Sequence, residues 1–191
     1  MKYNLENKKN KFAERTLKIF SETLFELLEK NSFEKITVNE ICEISNYPRA
    51  TFYNYFEDIN DLLNYCFESM SKEIKINDYV KMKEEERIYI IFDRLYNYME
   101  QYEKRLKRII RNNDMNGIFI YSLKMFLKEK IVIILKDCNC ILCNEVPPEL
   151  MAEYYSDVLR LLLYWAFCKN DKISKEKTTK YLKILLGNKL S

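Results

Sequence analysis

Histidine is absent from all 191 residues. The commonest general base is therefore missing, as is the commonest metal ligand, and neither a Ser-His nor a Cys-His nucleophile can be assembled. No other nucleophile-base pair stands out, so the sequence predicts neither an enzyme nor a bound cofactor. Glycine occurs only twice and proline three times, which leaves little material for the tight turns of hairpins. Uninterrupted apolar runs of about 18 residues, the length that spans a bilayer, are also missing. The N-terminus, MKYNLENKKNKF, is polar where a signal peptide would be apolar. The expectation is a cytoplasmic protein with no membrane partner.

What is present is helical material, with 48% hydrophobic and 32% charged residues. The chain is long enough to bury a core without covalent staples. Six cysteines are scattered through helical pattern rather than through a loop-rich miniature, so reduced thiols are expected. Three of them, Cys138, Cys140 and Cys143, fall together in DCNCILCNE. Thiolates at this spacing suit a soft metal or an oxidant sensor, yet no fourth ligand is evident and no metal site is assigned. The net charge is +3, unevenly spread: residues 1–18 carry six Lys or Arg (Lys2, Lys8, Lys9, Lys11, Arg15, Lys18) against Glu6 and Glu14. Such an arm can lie along phosphates.

From Asn10 to Lys30, apolar residues recur at Ala13, Leu17, Phe20, Leu24 and Leu27 or Leu28, the spacing of one buried helical face. TVNE, beginning at Thr37, offers a capping box for a second helix that buries Val38, Ile41 and Cys42. SNY interrupts that helix, and Asn46 tolerates a left-handed conformation there. Pro48 suits the first turn of a third helix, because its missing donor would be unpaired in that position anyway. Asp58 is the expected N-cap of a fourth, with Asp61 near the positive end of its dipole. Beyond a polar stretch near residues 75–83, helices are expected at about 84–101, 103–112, 115–136, 149–169 and 173–187.

Short helices at 38–44 and 48–54, joined by a three-residue turn and braced by a long first helix, have the proportions of a helix-turn-helix. In that motif the N-terminal residues of the second helix reach DNA. Here they are Pro48, Arg49, Ala50, Thr51 and Tyr53. Arg49 can donate to a guanine edge or a phosphate, Thr51 can meet a phosphate or a thymine methyl, and Ala50 permits close approach to the groove floor.

Over ITVNEICEISNYPRATFYNYFEDINDLL, and more loosely from Ala13 to Phe67, the chain resembles the TetR family of bacterial transcriptional regulators. The resemblance implies an all-α fold: an N-terminal three-helix DNA-binding domain at 1–57, a connecting helix at 58–75, and a C-terminal ligand-binding and dimerisation domain at 76–191. It further implies that Phe52 and Phe56 are core, that Thr37 and Tyr53 contact phosphate, and that Tyr55 lies near the DNA backbone. Function would then be binding of a palindromic double-stranded operator as a homodimer, as a repressor released by a small-molecule effector. Three positions depart from the family pattern: Asn46 stands where glycine is usual in the turn, and two others bear on phosphate. Pro48 stands where a serine cap is usual and Ile59 where lysine is frequent, and both changes subtract phosphate contacts. They leave room for a second reading, a co-activator or assembly factor of the same fold that works through protein contacts.

In the C-terminal part, Phe92, Tyr96, Met99, Tyr121 and Met125 are the candidates for lining an apolar or cationic ligand pocket. Leu159, Leu162, Leu163 and Trp165 make one helix apolar over much of its circumference, and Tyr181, Ile184 and Leu185 lie on the next. These two helices are the candidates for a two-fold four-helix interface.

Overall fold

The computed structural model describes residues 11–137, 145–169 and 172–187. The regular structure among the described residues is all helical, with no strand. Two compact units divide the chain. Residues 1–70 and 108–120 form the first, residues 71–107 and 121–191 the second. This differs from the sequence expectation: the division falls after Met70, inside a helix, and the first unit also claims Arg108–Ile120.

The first unit is organised around Phe20 on α1 (Lys11–Leu28). The three-and-four spacing of α1 places Ala13, Leu17, Phe20, Leu24, Leu27 and Leu28 on one buried stripe. The ring of Phe20 meets Phe52 edge-on at 5.4 Å, Phe56 at 6.3 Å and Tyr47 at 5.3 Å. After α1 a short 3-10 turn, Phe33–Lys35, leads to α2 (Val38–Ser45). The capping box at its start is closed: Glu40 N–H donates to Thr37 Oγ1 and Thr37 N–H donates to Glu40 Oε2 at 2.8 Å. Ile41 and Cys42 are buried as the pattern predicts, whereas Val38 is half-buried.

Asn46 ends α2 in the left-handed region, φ 55°, and its N–H bonds back to Cys42 O and Glu43 O. The third helix, α3 (Arg49–Tyr55), begins one residue later than expected. Pro48 is its N-cap, extended at φ −60° and ψ 147°, and offers only its carbonyl, which accepts from Thr51 N–H at 2.8 Å. The next helix, α4 (Ile59–Ile74), is capped by Asp58, whose Oδ1 accepts from Asp61 N–H at 2.9 Å.

The second unit contains α5 (Arg87–Gln101), most of α7 (Ile118–Lys136), α8 (Pro148–Cys168) and α9 (Lys175–Leu186), and α6 (Glu103–Asn112) enters it with its N-terminal half. Two expected starts move. Residues Glu84–Glu86 are a 3-10 turn before α5, and Asp114–Gly117 is a tight turn before α7, closed by Gly117 N–H to Asp114 O at 2.9 Å. In the core of this unit the ring of Tyr96 packs on Phe167 at 4.7 Å while its hydroxyl donates to Ile173 O at 2.8 Å. Ser174 caps α9 by accepting from Lys177 N–H. No helix among the described residues is long and apolar enough to cross a membrane.

Candidate nucleic-acid interface

A seven-residue helix has two faces, and in α3 they are chemically distinct. Phe52 has no exposed surface, and it fixes the helix against Phe20 and Phe56. At about 100° per residue, Ala50 and Asn54 stand opposite Phe52, with Arg49 and Tyr53 on one adjoining arc, and all four are exposed. Thr51 and Tyr55 stand at the flanks of this face, half-buried. The aromatic cluster is thereby divided: Phe52 and Phe56 are fully buried, and Tyr53 is 37% exposed. Asn54 was absent from the sequence candidates. Its signal was its spacing, four residues beyond Ala50 on the same arc.

Arg49 and Tyr53 form a unit. The guanidinium Nη2 donates to the Tyr53 hydroxyl at 3.4 Å, and its carbon lies 5.8 Å from the ring centroid. One turn of helix thus presents a cation and a phenol together, both at the solvent surface. Beneath them Cys42 is buried, and this burial pushes its thiol up, against the opposing pull of the Arg49 charge. It serves as packing rather than as a nucleophile.

Thr37 is exposed but committed. Its hydroxyl donates to Glu40 Oε2 at 2.9 Å and accepts from Glu40 N–H, so the single hydroxyl proton is already used. A phosphate contact from that hydroxyl requires the box to open. Pro48, exposed before α3, supplies no side-chain hydrogen bond. Along α1, Lys11, Arg15 and Lys18 are exposed cations. Lys2, Lys8 and Lys9 of the basic arm lie outside the described residues, as do Cys138, Cys140 and Cys143.

The remaining candidates divide by environment. Phe92 and Tyr96 are core at 0% and 1% exposure, Met99 and Met125 are half-buried, and Tyr121 is 61% exposed. These five side chains do not share one environment. Leu159, Leu162 and Leu163 are buried within the chain itself, while Trp165 and Leu185 are about half exposed. An open groove of about 370 Å³ is lined by Leu161, Leu162, Trp165, Tyr181, Ile184 and Leu185. Ile184 belongs with Tyr181 and Leu185 among the interface candidates of the second helix, whereas Leu161 was missing from them. Because α8 is apolar around most of its circumference, its pattern could not say which side faces inward.

No family model matches the chain. The chain is similar to the HTH-type dhaKLM operon transcriptional activator DhaS of Lactococcus lactis, 36% identical over 63 residues, a match that spans 33% of this chain and 33% of that protein's own length. Among solved structures it is similar to dihydroxyacetone kinase operon activator DhaS, with a TM-score of 0.54 over 90% of this chain and 94% of the other. Sequence identity in that superposition is 19%, so the likeness shows the all-α fold alone.

Proposed function

We propose that this chain is a sequence-specific DNA-binding transcription regulator that inserts α3 into the major groove and acts as a homodimer on a two-fold operator. The observation that carries the proposal is the exposed arc of Arg49, Ala50, Tyr53 and Asn54 held over a fully buried Phe20–Phe52–Phe56 core. Such a face joins a base- or phosphate-reaching cation to a phenol on a helix whose register is locked by packing. The relative matched by sequence carries the name of an operon activator. We therefore propose activation as the direction of control, in place of the repression with effector release expected from the family resemblance. The exposed groove of α8 and α9 is the proposed two-fold contact.

The test is fluorescence anisotropy of purified protein on the DNA flanking its own gene, at two salt concentrations and against scrambled competitor. A saturable, salt-dependent preference with two protomers per site is expected. Arg49→Ala should weaken that binding by about 1–3 kcal/mol if it reads a base, or lower the salt slope by about 1 if it holds a phosphate. Sequence-blind binding, unchanged by Arg49→Ala and Tyr53→Phe, would overturn the reading. The second reading, a co-activator of the same fold that binds protein, is favoured by two features: the Thr37 hydroxyl is occupied, and Pro48 has none.

A further inference from the structure

The first unit contains a set of hydrogen bonds that the helix-turn-helix does not account for. The chain leaving α1 (residues 29–34) is gripped by the end of α6 and the turn before α7, within one compact unit. Glu29 is held twice: its carboxylate accepts from Arg108 Nε at 2.6 Å, and its carbonyl accepts from Asn112 Nδ2 at 2.7 Å. Asn113 is 4% exposed, and both ends of its amide are used. Its Oδ1 accepts from Phe33 N–H at 2.9 Å, 80 residues away in sequence, and its Nδ2 donates to Ile109 O at 2.8 Å. Glu34 completes the grip by accepting from Ile118 N–H, the first helical amide of α7, at 2.8 Å.

Gly117 shows how closely the two turns meet. A Cβ at that position would lie 2.9 Å from Glu34 Oε1 and 3.1 Å from Asp114 O, inside normal contact. The gripped turn runs directly into α2. Phe33 and Ile36 are both core, and Thr37, the cap of α2, comes next in the chain. Among the described residues, Asn113 Oδ1 is the acceptor of the buried Phe33 N–H. Remove the acceptor, and the turn must shift to bring that amide to water or another partner. The start of α2, and the recognition helix packed behind it, move with the turn.

We propose that Asn113 is a positioning residue for DNA binding, which sets the placement of α2 and α3 through the 29–36 turn without touching DNA. The inference rests on the proposed function, and its test separates the two. Operator affinity is measured per active molecule, after titration of the binding-competent fraction, for wild type, Asn113→Ala, Asn113→Asp and Gly117→Ala. Asn113→Ala should weaken binding by roughly three- to thirtyfold, with the salt slope unchanged because no phosphate contact is lost. Asn113→Asp keeps an acceptor toward Phe33 but loses the donor to Ile109 O and buries a carboxylate, so it should recover only part of the loss. Gly117→Ala, which disturbs the same grip through Glu34, should weaken binding in the same sense even if Asn113→Ala fails to fold.

Affinity per active molecule that stays within twofold of wild type, with only the melting temperature lowered, would overturn the inference. So would a reduced salt slope, which marks a direct contact. If the wild-type chain shows no sequence preference at all, the proposed function fails instead. The grip is then read by amide hydrogen exchange of residues 33–40. Faster exchange in Gly117→Ala or Asn113→Ala sustains Asn113 as the residue that places the turn and the start of α2, without the DNA role, and unchanged exchange refutes that too.

Discussion

Replacing Trp165 by alanine should separate the proposed dimerisation from folding. The side chain is 46% exposed on the groove side of α8. With roughly 200 Å² of surface on a tryptophan side chain, about 90 Å² is left for a partner to cover. At about 25 cal/mol per Å² this is about 2.3 kcal/mol for each copy. A two-fold interface contains the residue twice, so the largest expected effect is about 4–5 kcal/mol, or roughly three orders of magnitude in the dimer Kd. The measured value should fall below that limit. The Lys169 ammonium already lies 4.3 Å from the ring centroid, and covering the ring must displace or accommodate it. Sedimentation velocity over a concentration series reads the constant directly. The control is Leu159→Ala. Leu159 is 1% exposed, so its truncation should lower thermal stability by about 2–5 kcal/mol as a core cavity. A wild-type chain that stays monomeric at all concentrations, or a Trp165→Ala variant that dimerises as wild type does, would refute the assignment of this groove.

Two further outcomes are expected in the first unit. Phe52→Ala removes a fully buried ring that meets both Phe20 and Phe56, and should cost about 3–5 kcal/mol in chemical denaturation. A loss below about 1 kcal/mol would mean that α3 is not anchored by this ring. Glu34 titrates below the usual carboxylate value of 4.5, held down by hydrogen bonds from its own backbone N–H and from Ile118 N–H. Because the folded pKa is the lower one, its contribution to stability is present above pH 4.5 and is lost as pH falls through the lowered value. Thermal melts taken between about pH 3 and 6 should therefore show a shallower acid-side slope in Glu34→Gln than in wild type. Identical slopes would show that the carboxylate gains nothing from folding.

The helices and their caps were legible residue by residue because the signals that specify them are local. The three-and-four spacing in α1 selects Phe20 for the interior, Thr37 and Glu40 cap each other three residues apart, and Asn46 is one of the few non-glycine residues at ease with a φ of 55°. Phe52 inside and Tyr53 outside reflect the same helical period. Which distant pieces share a unit depends on long-range packing. The bond from Phe33 to Asn113 crosses 80 residues and leaves no periodic trace, so an N-terminal domain ending near residue 57 misses Arg108–Ile120. The same holds for α8. Nearly every side of it is apolar, and what turns Leu159 inward and Trp165 outward is not the identity of those residues but where α5 and α9 pack against it.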